Sequence, residues 1–238
     1  MVWEHPLPHW PYQSVRPHLG DLIYISGHSC VTEFHPNGVY KRRNSYNATI
    51  RELNFMYRAG DICVDVLAFV PYPDNARAGF VMRRLHPIVP SELNSQQKLR
   101  IMHQMRRLVH TLHERGIIHG DIKLANFLYD PSDENVKFCD FGSSVWINEN
   151  IPPYSGSNRY CSARRLADHA LQIPLETDDD YYALGCTVWE LFTGKVPFQD
   201  ISDTRTVVQM IIEGAKPNLD EVEDEEAKGL IRYYCNMN

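Results

Sequence analysis

At 238 residues with 43% hydrophobic content, the chain can bury one large core or two smaller ones, but not an array of independent modules. Its net charge of -6 offers no basic excess for a nucleic-acid backbone or an anionic membrane surface, which leaves proteins and small molecules as partners. Six scattered cysteines without zinc-ligand spacing, and no stretch near the roughly 20 apolar residues of a membrane span, predict a soluble intracellular protein, cytoplasmic or nuclear, with reduced thiols.

The first twenty residues, rich in Pro, His and Trp, read as an irregular extension, so that the fold is expected to begin near Leu22. Leu22 to Ile25, Cys30 to Phe34 and Val39 to Lys41 read as a three-strand meander, with Asn37-Gly38 supplying a tight turn. Ser45 caps a predicted helix running to Gly60, on which Ala48, Glu52, Phe55, Met56 and Ala59 share one face. A glutamate thus sits within an apolar face. Cys63 to Val70 and Gly79 to Leu85 read as two more strands, separated by the Pro71 to Asn75 breaker.

Beyond Leu85 the pattern turns helical. Leu99, Met102, Met105, Leu108, Val109 and Leu112 form a stripe ending at Gly116, and a second strong helix spans about Thr177 to Phe192 before Gly194. Further helices are expected around Thr204 to Glu213 and Glu221 to Tyr234. The order predicts an α+β fold of one domain, 1–238, with a β-rich half over 1–84 and a helical half over 85–238.

The chemistry concentrates in Ile118-His119-Gly120-Asp121-Ile122-Lys123-Leu124-Ala125-Asn126, followed by Cys139-Asp140-Phe141-Gly142. Phosphoryl transfer requires positioned phosphates, a metal to neutralise them and an oriented hydroxyl, and this stretch carries residues for each need. It resembles the eukaryotic protein kinase family, serine/threonine type, with its H-R-D-x-K-x-x-N loop and D-F-G turn. The resemblance implies a bilobal kinase fold that binds ATP and Mg2+ and acts on a protein substrate. By it, Asp121 accepts the substrate hydroxyl's proton, Lys123 steadies the transferring phosphate, and Asn126 and Asp140 hold magnesium.

The same resemblance implies a Lys41–Glu52 ion pair on the nucleotide phosphates, and Val31, Val39, Met82 and Leu128 around the adenine. Lys41-Arg42-Arg43 and Glu52 also admit a plainer reading as solvated charges. Further along, Gly156 to Arg164 resembles the substrate-docking G-T-x-x-Y-x-A-P-E, and Asp180 the buried aspartate that holds the catalytic-loop backbone.

Three features depart from the family. Ser26 to Val31 offers one glycine where the phosphate loop has three, Gly120 replaces the catalytic-loop arginine, and Arg164 replaces the glutamate of A-P-E. The family's arginine partner for that glutamate lies in a late helix, and the C-terminal half is expected to be cut short at Asn238. Two alternatives stay open: a pseudokinase scaffold with little turnover, and a small-molecule phosphotransferase of the aminoglycoside or choline kinase kind, whose H-G-D loop Gly120 matches.

Overall fold

In a computed structural model, the chain is described over residues 7–25, 29–73, 77–149, 157–167 and 173–237. Ser26, Gly27 and His28 of the glycine-poor loop, Asp74 and Asn75 of the breaker, and Gly156 of the docking motif lie outside the described residues. The fold is α+β, in two compact units, Met1–His86 and Pro87–Asn238.

The N-terminal unit is a five-stranded antiparallel sheet and one long helix. Its strands are β1 (Leu19–Ile25), β2 (Ser29–Phe34), β3 (Gly38–Arg43), β4 (Val66–Pro71) and β5 (Ala78–Arg83), in the spatial order β1-β2-β3-β5-β4. Between β3 and β4 runs α1 (Tyr46–Ala59), started by the Ser45 side chain, which accepts from the Ala48 N–H. Residues opposite one another across a ladder share a face. The pairings Val31 with Lys41, Val39 with Met82 and Lys41 with Phe80 therefore put these five side chains on one face, the one α1 covers.

The opposite face carries Tyr40, Ala68, Val70 and Val81, and it needs its own cover. Residues before β1 supply it. Tyr12–Val15 forms a helical turn whose Val15 is buried against those four residues and Tyr72, with Trp10 and Tyr12 packed alongside. Trp10 N–H donates to Phe69 O at 2.9 Å, and Phe69 N–H to Pro8 O at 3.0 Å. Residues 7–18 are thus integral to the sheet rather than the expected irregular extension, and β1 begins at Leu19. Gly79 permits this packing, since a Cβ there would stand 2.5 Å from the Tyr40 hydroxyl.

Two further boundaries differ from expectation. The strand predicted from Cys63 begins only at Val66, because a 3-10 turn over Gly60–Ile62 follows α1 and the Cys63 thiol turns back to Met56 O at 3.2 Å. The last helix starts at Glu225 rather than Glu221, capped by Asp224, whose carboxylate accepts from Ala227 N–H.

The C-terminal unit is built on α2 (Ser95–Glu114), opened by a reciprocal Asn94/Gln97 capping box. After it come β6 (Ile117–Ile118), the hairpin β7 (Phe127–Asp130) and β8 (Asn135–Phe138), and β9 (Val145–Trp146), which pairs with β6. The helices α3 (Ala163–Ala167), α4 (Thr177–Thr193), α5 (Thr204–Ile212) and α6 (Glu225–Tyr234) follow. α4 is the buried centre, with Tyr182, Leu184, Cys186, Val188 and Leu191 enclosed. Among the described residues, no helix is long and apolar enough to cross a membrane.

Candidate active site

In the N-terminal unit, Lys41 leaves β3 on the face beneath α1, and the Ser45 cap starts that helix soon enough for its second turn to return over it. Lys41 Nζ stands 2.7 Å from Glu52 Oε1, and Arg43 Nη1 3.3 Å from Glu52 Oε2. The side chains of Lys41 and Glu52 are only 3% and 1% exposed, so neither is a solvated charge. Val39 and Met82, opposite each other on the same face, are buried, and Val31 is half-buried beside Lys41.

In the C-terminal unit, the chain leaves β6 into the loop that carries His119 to Asn126. Asp121 is its hub. Asp121 Oδ2 accepts from Lys123 Nζ at 2.7 Å and from Asn126 Nδ2 at 3.1 Å, while Oδ1 accepts the Ser157 N–H at 2.9 Å. Burial alone would push this carboxyl up, but the Lys123 ammonium and the Lys123 and Ser157 hydrogen bonds prevail and hold it below the usual aspartate value.

Asn126 also donates to Asp121 O at 2.7 Å, so its amide nitrogen is committed and its oxygen is the side-chain lone-pair donor. The β7–β8 register pairs Phe127 with Phe138, and the Cys139 N–H donates to Asn126 O at 3.0 Å. Asp140 follows directly, so the hairpin brings it to the end of the ladder where Asn126 stands. Its backbone is left-handed (φ 58°) and its carboxylate accepts the Gly142 N–H. Leu128 lies one residue into β7, half-buried, opposite Lys137.

The loop backbone is fixed from below by α4. Asp180, fully buried, accepts the His119 N–H at 2.7 Å and the Gly120 N–H at 2.9 Å, and His113 Nε2 lies 3.0 Å from the same carboxylate. Gly120 adopts φ +77°, and a Cβ there would come within 2.6 Å of Ser143 O. The glycine thus admits a close backbone crossing, reinforced by the Ser144 hydroxyl donating to His119 O at 3.0 Å. Gly120→Ala is expected to cost at least about 1 kcal/mol from backbone conformation alone, read as a lower unfolding midpoint; an unchanged midpoint would contradict the crossing.

The segment after residue 156 meets this loop. Lys123 Nζ donates to Ser157 Oγ at 2.9 Å, and the Tyr160 hydroxyl to Glu190 Oε2 at 2.8 Å; the same carboxylate oxygen accepts the Leu124 N–H at 3.3 Å. Burial pushes the Glu190 carboxyl up against these bonds. Arg159 donates to three backbone carbonyls, Pro197, Phe198 and Ile201, closing the segment onto the loop after α4. The sequence reading missed Arg159, His113 and Glu190. Glu190 alone carried a signal, an acid within a strongly apolar helix, like Glu52.

Comparison with known proteins gives one family: the model described as protein kinase domain matches residues 76–238. The serine/threonine-protein kinase mos of Patiria pectinifera is 27% identical over 191 residues, 75% of this chain and 54% of that protein. NUAK family SNF1-like kinase 2 of Rattus norvegicus is 31% identical over 148 residues, 61% of this chain and 22% of that protein. Serine/threonine-protein kinase KIC1 of Saccharomyces cerevisiae is 28% identical over 147 residues, 60% and 13% respectively. The chain therefore spans about half the length of the first of these relatives and less of the others.

Proposed function

Since the chain belongs to the protein kinase family, we propose that it transfers the γ-phosphoryl group of ATP, with magnesium, to serine or threonine hydroxyls of protein substrates. The observation that supports this best is the Asp121 carboxylate, kept ionised by Lys123 and the Ser157 N–H in a half-enclosed loop. An ionised carboxylate at that place accepts the proton that the attacking hydroxyl loses, and Lys123 beside it offers positive charge to the phosphoryl oxygens in flight.

We assign Lys41, held by Glu52, to the α/β-phosphates, and Val31, Val39, Met82 and Leu128 to the adenine. The Asn126 amide oxygen and the Asp140 carboxylate are hard oxygen donors of the kind magnesium accepts, and one or two such ligands suffice where phosphates complete the shell. Bound there, the metal neutralises phosphate charge. A protein acceptor, rather than a small alcohol, is favoured by the segment from Ser157 to Arg165, which is bonded to the catalytic loop at one end and to α4 at the other.

Purified chain given Mg-ATP and a mixed protein substrate is expected to produce phosphoserine and phosphothreonine. Asp140→Asn should weaken magnesium-dependent ATP binding by about tenfold or more, on the order of 1.4 kcal/mol, measured by titration calorimetry. Nucleotide binding without any phosphate transfer by the unmodified chain would favour the scaffold reading instead.

A further inference from the structure

Arg164 stands where the family carries a carboxylate, and its surroundings show what it does instead. Arg164 Nη2 lies 2.7 Å from Asp179 Oδ2 and 3.3 Å from Glu176 Oε2. Asp179 is only 7% exposed at its side chain and also accepts from the Ser162 hydroxyl at 3.2 Å and the Glu176 N–H at 3.0 Å. Arg165 adds a bond to Ile173 O at 2.7 Å. The next residue, Asp180, holds the His119 and Gly120 N–H groups.

Two consecutive carboxylates on the first turn of α4 therefore fasten two different pieces: Asp180 the catalytic loop, Asp179 the segment after it. We propose that Arg164 is a positioning residue whose ion pair with Asp179 sets the acceptor-binding segment in register with Asp121. This rests on the kinase reading above. The polarity is the reverse of the family's arrangement, with the cation on the segment and the anion on the helix, so the anchor is complete within residues 162–179. Because the segment's other end, Ser157, bonds Asp121 and Lys123 directly, slack at Arg164 reaches the reacting hydroxyl rather than the nucleotide.

Wild type, Arg164→Ala and Arg164→Lys are compared by hydrogen exchange and by steady-state kinetics. The alanine variant is expected to exchange amides 157–167 at least about tenfold faster and to raise the KM for protein substrate by a similar factor, corresponding to about 1.4 kcal/mol. Its KM for ATP should be unchanged, and Arg164→Lys should fall between the two. Unchanged exchange over 157–167, or equal rises in both KM values, would overturn the proposal. If wild type transfers no phosphate, the kinase reading fails and the exchange measurement alone decides the anchor. If the alanine variant does not fold, the lysine variant, which keeps the charge, must still show the intermediate exchange.

Discussion

Asp121→Asn is expected to lower kcat by about 10²–10⁴-fold while leaving the affinity for Mg-ATP close to wild type. Asparagine keeps the shape and one acceptor oxygen, so the Ser157 N–H bond can persist while the Lys123 and Asn126 bonds to the second oxygen are lost, and it cannot take a proton from a hydroxyl. Single-turnover kinetics with calorimetric ATP titration separates the two quantities, and an equal loss of ATP affinity would show that Asp121 is structural. The pH dependence gives a second check. A carboxyl whose folded pKa lies below its unfolded value contributes stability that is present above the ordinary 3.8 and is lost as pH falls through the folded value. Wild type should therefore lose this contribution only in acid below the usual aspartate range, and Asp121→Asn should lack that step in its unfolding midpoint against pH.

Legibility in the sequence followed the range of the interaction. α1 was predicted because its start, its apolar face and its end are local: the Ser45 cap, the 3.6-residue spacing and Gly60. The loop around Asp121 and the turn at Asp140 were readable because seven motif residues, His119, Asp121, Lys123, Asn126, Asp140, Phe141 and Gly142, fall within a short stretch, and a β7–β8 hairpin can only bring its ends together. Asp180 was found through resemblance, and its two backbone bonds are present. What escaped depended on distant partners. Nothing local marks Val15 as a core residue, since its five buried neighbours come from β3, β4, β5 and Tyr72. Arg159 reaches carbonyls about 40 residues away, and a backbone carbonyl leaves no trace in a sequence. Arg164 was visible as a departure from pattern, but nothing in the pattern named a partner for it, and Asp179 stands fifteen residues on.

Glu52→Ala is expected to destabilise the N-terminal unit by about 3–5 kcal/mol, the cost of breaking a buried ion pair by removing one partner. The carboxylate is 1% exposed and faces two cations, Lys41 at 2.7 Å and Arg43 at 3.3 Å, so its loss takes a close negative charge from both in a site that water barely reaches. For a chain of this size each kcal/mol moves the unfolding midpoint by about 2–4 °C, and a drop of roughly 10 °C should be seen by calorimetry. Stability alone does not establish a role toward nucleotide, however, and the double variant Lys41→Met with Glu52→Leu separates the two. Replacing Lys41 and Glu52 with apolar groups of similar volume removes their desolvation cost together with their attraction, so part of the lost stability should return, while the Arg43 contact with Glu52 stays lost. Affinity for Mg-ATP should not return, because a thioether offers nothing to the phosphates. A double variant that binds ATP like wild type would confine the Lys41–Glu52 pair to packing β3 against α1, and the nucleotide assignment of Lys41 would have to be withdrawn.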